Sequence, residues 1–282
     1  MQKLRGFNSG VMFSIPGIVL LLFGFIVPLV LIAVFSLMPP KTFGITHAPT
    51  LVNYHEILTG TYVTSLLWSL LLAGLTTVIL LVVCYPLAFA MAKIFNRGAT
   101  LITLAIVLLL FVSENIRLFG WVLNLMKGGI FDGTLKQMGL GLDGALYNIP
   151  IIVFGMSYVY FPFMLFPLVL GISMIPDQVR EAANDLGANR WMIFRCIDLP
   201  LSSPGILIGS LLTFVLSVGA VAEAKILGGG KVIPITQEIE SIFSYAQNWP
   251  LGSALSTTLL VIIAGLLTYT FSKIELDRLF RK

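Results

Sequence analysis

The sequence predicts an all-α, polytopic membrane protein with six transmembrane helices, and three observations predict it. Only 11% of the 282 residues are charged, where a soluble domain carries about a quarter, while 57% are hydrophobic and the mean hydropathy is +0.98. Asp, Glu, Lys and Arg are absent from six stretches: 6–40, 57–92, 98–113, 144–176, 199–222 and 241–272. None of these stretches shows the polar residues at helical spacing that a soluble bundle needs on its water-facing side. Lipid is therefore the solvent for most of the chain.

The spans follow from length. A helix rising 1.5 Å per residue needs about 20 apolar residues to cross a bilayer. Five of the six stretches exceed that, which places helices near 12–36, 64–92, 147–174, 199–221 and 252–272. The third stretch is short, and its span near 99–117 is expected to tilt or borrow residues from its flank. The first run is too long for a signal-peptide core and lacks an Ala-x-Ala exit, so it reads as a mature helix. One transmembrane domain over 1–282 accounts for the whole chain.

The connections carry turn chemistry. Segment 37–63 holds Pro39, Pro40 and Pro49 with two histidines, His47 and His55, read as solvated because no third ligand cluster accompanies them. Segment 118–146 runs through Gly128-Gly129, Asp132-Gly133 and Gly139 to Gly144, with one short interfacial helix expected around Leu135. Segment 223–251 opens on Gly228-Gly229-Gly230 and Pro234 and continues as the polar stretch Gln237 to Gln247. No Walker A pattern occurs, so nucleotide chemistry belongs to another chain. Cys84 lies within the second span and Cys196 in a connection, so they are not expected to pair.

Basic residues orient the chain. An even number of spans puts both termini on one side. With the termini in the cytoplasm, eleven Lys and Arg fall inside (Lys3, Arg5, Lys93, Arg97, Arg180, Arg190, Arg195, Lys273, Arg278, Arg281, Lys282) and six outside (Lys41, Arg117, Lys127, Lys136, Lys225, Lys231). The positive-inside rule favours that arrangement. The net charge of +4 is this anchoring bias and gives no sign of nucleic acid binding.

The cytoplasmic segment 177–198 is strongly charged, with Asp177, Arg180, Glu181, Asp185, Arg190, Arg195 and Asp198. Val179, Ala182, Ala183 and Leu186 recur at i, i+3, i+4 and i+7, one apolar face of a short helix. Gly187 stands where a left-handed C-terminal cap belongs. Asn189 is placed to cap a second helix through Phe194, and Leu199-Pro200 opens the next span. The pattern predicts a small helix–turn–helix held against the cytoplasmic face of the bundle.

Glu181, Ala182 and Ala183, then Gly187, and finally Ile197, Leu199 and Pro200 resemble, at every fixed position, the cytoplasmic EAA loop of ABC importer permeases. The resemblance extends to the spermidine/putrescine branch through four further stretches. These are Asn115-Ile116-Arg117 with Trp121; Tyr160 to Met164 with Pro167-Leu168; Ile226 to Gly229; and Asn248-Trp249-Pro250-Leu251-Gly252 with Ala254. That branch also includes importers of opines, aminophosphonates, amino-acid-like compounds and ferric iron. The resemblance implies a type I permease fold in the bacterial inner membrane and half of a translocation pore. It implies four partner chains as well: a second permease, two cytoplasmic ATPase subunits that carry ATP-Mg, and a periplasmic binding protein. The seven EAA positions would couple ATP hydrolysis to movement of the spans. No catalytic residue, metal or cofactor is assigned to this chain.

Charges near the membrane are costly and tend to serve function. Glu114 and Arg117, three apart, share a helix face and are candidates to pair. Glu223 falls at the outer end of the fifth span with Lys225 two residues later, where the sequence departs from the branch's pattern. Glu114, Arg117, Tyr160, Glu223 and Trp249 are the candidate substrate-pathway residues, an amine being drawn by carboxylates and aromatic faces. An ion-coupled carrier would need acids in the middle of several spans, and a membrane-embedded enzyme would need clustered His, Asp or Cys. Neither pattern is present.

Overall fold

The computed structural model describes residues 5–44, 46–95, 97–137 and 146–273. The N-terminal helix α1 (Arg5–Phe35) is followed by the short α2 (Val52–Thr59) and the long α3 (Tyr62–Lys93). Next come α4 (Arg97–Leu110), α5 (Glu114–Leu125), α6 (Ile130–Gln137) and α7 (Ile149–Ser173). The charged segment forms α8 (Asp177–Asp185) and α9 (Arg190–Ile193), then a π-helical turn (Phe194–Asp198) and α10 (Leu199–Leu201). Helices α11 (Ser203–Val218), α12 (Ala222–Ile226), α13 (Ile235–Ser244) and α14 (Trp249–Lys273) complete the order. The described residues contain no strand. The Gly139–Gly144 run and the basic residues Lys3, Arg278, Arg281 and Lys282 lie outside the described residues.

Among the described residues, four helices are long and apolar enough to cross a membrane singly: 14–35, 62–93, 149–173 and 249–272. They coincide with the first, second, fourth and sixth spans that hydropathy predicts. The other two differ. The third is no straight span over 99–117: α4 stops at Leu110, and α5 leaves it at 96°. At the break Phe111 and Val112 donate i→i+3 hydrogen bonds to Leu108 and Leu109, which tightens and ends the helix. Glu114 then opens α5, where a carboxylate suits the positive end of the helix dipole. The fifth bends by 64° between α10 and α11, at Ser202.

The chain divides into two compact units. In the first, 1–63 with 238–266, Asn53 is buried and donates to Ser36 O (3.0 Å) and Met38 O (2.8 Å), pinning α2 beneath the end of α1. Helix α2 is absent from the hydropathy reading because its hold is this polar contact and not an apolar stripe. Trp249 meets Phe35, Phe43 and Phe243 at ring separations of 6.5, 6.0 and 6.2 Å. Asn248 Oδ1 accepts from Lys41 N at 2.9 Å.

In the second unit, 64–237 with 267–282, α7 is the centre. Twelve of its residues are buried, among them Ile152, Met156, Met164, Leu165 and Leu168. Asn148 caps it through Oδ1, which accepts from Ile151 N (3.1 Å). Helix α11 crosses α7 with almost nothing between the backbones. A Cβ on Gly205 would lie 2.5 Å from Pro167 O, and one on Gly171 would lie 2.8 Å from Gly205 Cα. Small residues at a crossing let membrane helices approach closely where the hydrophobic effect gives no help.

Candidate functional site: the coupling segment and a buried acid

Helix α8 buries none of its residues. Its predicted apolar face does not pack on the bundle: Val179 is exposed, Ala183 is only half-buried, and Leu186 is 88% exposed. Trp191 and Met192 on α9 are exposed as well. The charges do the attaching instead. Lys93, at the end of α3, donates to Ile175 O (2.6 Å) and to Asp177 Oδ1 (2.7 Å). Arg180 sets Nε 3.0 Å from the buried Asp198 Oδ1 and stacks its guanidinium 4.9 Å from the centre of the Phe89 ring. Phe194 meets Tyr85 edge-on at 5.6 Å and stacks on Trp191 at 5.4 Å. The Lys93 ammonium, hydrogen-bonded to it, holds the Asp177 carboxyl below its ordinary value.

The C-terminus of α8 agrees with the sequence in detail. Gly187 adopts φ +81°, Gly187 N donates to Asn184 O (2.9 Å), and Ala188 N donates to Ala183 O (3.0 Å). This is the paired-bond cap that glycine favours, since a side chain is strained in the left-handed region. Asn189 caps α9, accepting from Met192 N at 2.8 Å. The second helix does not run on regularly through Phe194: the π-helical turn Phe194–Asp198 follows α9 and carries Asp198 to Arg180. Glu181 and Ala182 are exposed on α8, Ile197 is half-buried against the core, and Leu199 and Pro200 are exposed at the foot of the fifth span. The clamp formed by Lys93 and Arg180 was not singled out in the sequence, although a basic residue ending one span and acids in the segment before another are its signature.

The second feature lies between α7, α11 and α12. Glu223 is completely buried, and neither carboxylate oxygen has a hydrogen-bond partner. The buried Tyr160 hydroxyl lies beside it outside hydrogen-bonding geometry, and Glu114 is close enough for its charge to be felt. Burial, reinforced by Glu114, pushes the Glu223 carboxyl up to about 7. The hydroxyls of Thr213 and Ser217 on α11 and of Ser157 on α7 are likewise buried without partners. Three of the five candidate pathway residues therefore act on one another. Arg117 does not pair with Glu114 but sits 5.6 Å from the centre of the Tyr158 ring, and Trp249 belongs to the aromatic cluster of the first unit. Lys225 lines a separate cavity of about 500 Å³ with Tyr147, Ile226 and Gly229.

No family model matches the chain. Known proteins do. The spermidine/putrescine transport system permease protein PotB of Haemophilus influenzae is 36% identical over 220 residues, 77% of each chain. The chain belongs to the spermidine/putrescine permease family. Another member, PotB of Salmonella typhimurium strain LT2, is 30% identical over 270 residues, 95% of this chain and 93% of that one. Among solved structures, a bacterial ABC transporter that imports the acidic polysaccharide alginate matches with a TM-score of 0.75 and 17% identity, covering 99% of this chain and 97% of that one. The same kind of importer, solved with its pentasaccharide-bound periplasmic protein, matches with a TM-score of 0.76 and 17% identity, covering 94% and 93%. These fix the fold as that of an ABC importer permease. Helix α8 carries Glu181, Ala182 and Ala183, and Val179, Ala182 and Leu186 stay exposed along it and its cap.

Proposed function

We propose that this chain is one of two permease subunits of a binding-protein-dependent importer of polyamines. Two cytoplasmic ATPase subunits carry ATP-Mg, and a periplasmic protein delivers the amine. Both termini lie in the cytoplasm, so α8 faces the ATPases. The observation that carries the reading is α8 itself: a capped, rigid helix, clamped at one edge by ion pairs, that leaves Val179, Ala182 and Leu186 open to a partner. ATP binding draws the ATPases together, α8 moves with them, and the π-helical turn and α10 pass the motion to the fifth span. Glu223, Tyr160 and Glu114 support an amine route, because a buried carboxylate without a partner is matched by an arriving ammonium.

The test is uptake. Cells lacking their own polyamine importers and supplied with this chain and its partner subunits should accumulate labelled spermidine or putrescine, competed by amines and not by opines, aminophosphonates or ferric iron. Competition by one of those solutes alone would replace the substrate while keeping the machinery. A cysteine at 189 should react with an impermeant maleimide only after lysis, and one at the exposed position 48 in intact spheroplasts; the reverse pattern would invert the chain.

A further inference from the structure

Helix α4, with 14 residues, rises roughly 21 Å, short of the ~30 Å hydrocarbon core. Its 96° turn into α5 leaves a cavity of about 490 Å³ against α3 and α7. Ile79, Val83, Leu109, Phe154 and Phe161 are among its almost wholly carbon walls, and Val83 is 54% exposed, so the groove is open. One charged side chain lines it. It is Arg117, whose Nε is buried without a hydrogen-bond partner and whose guanidinium rests against Tyr158.

A guanidinium beside an apolar groove in a membrane requires an anionic oxygen, and the chain supplies none to this nitrogen. A transported amine is the wrong sign. A neighbouring protein helix would have to bring both a run of apolar side chains and an acid at one register. A phospholipid brings tail and phosphate in one molecule, and it is the solvent of this surface. We propose that the groove holds one phospholipid, its acyl chain between α3 and α4 and its phosphate on Arg117. The lipid fills the space that the short α4 leaves and fixes the angle of the elbow.

The test uses the whole importer in nanodiscs containing a trace of phosphatidylglycerol with a photoactivatable acyl chain. After irradiation, peptides around Val83 and Leu109 should be labelled more densely than lipid-facing α1. Arg117→Gln should lower that labelling about tenfold, the scale of one lost charge-assisted hydrogen bond. Val83→Trp, which blocks the opening, should do the same, while Arg117→Lys and Val78→Trp, away from the groove on α3, should keep it. If Arg117→Gln fails to insert, the Val83→Trp and Arg117→Lys pair decides. Labelling that is uniform over the lipid-facing surface, or insensitive to Arg117→Gln and Val83→Trp, overturns the proposal. So does a cysteine at 83 that cross-links to the second permease with no lipid label in the groove.

Discussion

Helices α8 and α7 lie a few residues apart in sequence and are built on opposite principles. Helix α7 buries about half its length, and its Gly171 meets the backbone of Gly205 directly. Helix α8 buries nothing and is held by Lys93 and Arg180 at one edge. The first has used its apolar surface within the subunit; the second has kept it. The coupling proposed above would need both, a pivot that does not deform and a handle that is free to be gripped.

The sharpest way to break this contrast is to push the α7–α11 crossing apart. Gly205→Ala sets a methyl 2.5 Å from a backbone carbonyl and should cost about 1–3 kcal/mol, read as a lower thermal midpoint of the purified complex. Gly205→Leu should remove the subunit from the membrane fraction. At the handle, Gly187→Val should leave the subunit in the membrane but abolish amine uptake, since a β-branched residue at φ +81° is strained by about 1–3 kcal/mol and uncaps α8. Normal uptake by this variant would remove α8 from the coupling path.

A smaller effect is expected where the pivot borders the proposed route. Glu223→Gln should lower amine uptake about tenfold, or ~1.4 kcal/mol. The sign with pH follows from the raised carboxyl. Below about 7 Glu223 is neutral and the buried site is unstrained; as pH rises through about 7 the carboxylate forms, the folded state loses the stability of a neutral buried group, and attraction for an ammonium appears. Tyr160 and Glu114 are the titratable groups facing it. Uptake by the parent should therefore rise from pH 6 to 8, and Glu223→Gln should flatten that rise; parallel profiles would make the acid structural.

The smallest effect belongs to the Lys93–Asp177 pair. Because Lys93 holds Asp177 low, its stabilisation is present above the unfolded carboxyl value near 4 and is lost only as pH falls below it. Asp177→Asn should thus match the parent in acid and fall slightly behind at neutral pH, less so in high salt. A difference that grows toward acid would contradict the assignment.

Hydropathy located α3, α7 and α14 closely, because a charge-free run of that length has no stable state but a spanning helix. Gly187 and Asn189 were legible from capping chemistry instead, which lies beyond the reach of hydropathy. It missed the elbow after Leu110, since apolar content carries no direction, and a run of 16 residues reads alike whether straight or bent. It misjudged the face of α8 for a related reason: a 3.6-residue period reports that a side is apolar but not whether the same chain covers it. The Glu223 site was half legible. The acid stood out, yet its junction with Tyr160, 63 positions earlier, depends on the α7–α11 crossing.

The π-helical turn Phe194–Asp198 has a consequence for inheritance. Such a turn holds one residue more than the α-helix it interrupts, and each residue is worth roughly 100° of rotation. Deleting a single codon here would restore a regular helix and swing everything before it by that angle, taking Asp198 and Arg180 out of register. Substitutions at the exposed Arg195 and Cys196 should therefore be tolerated far better than the gain or loss of one residue in that interval.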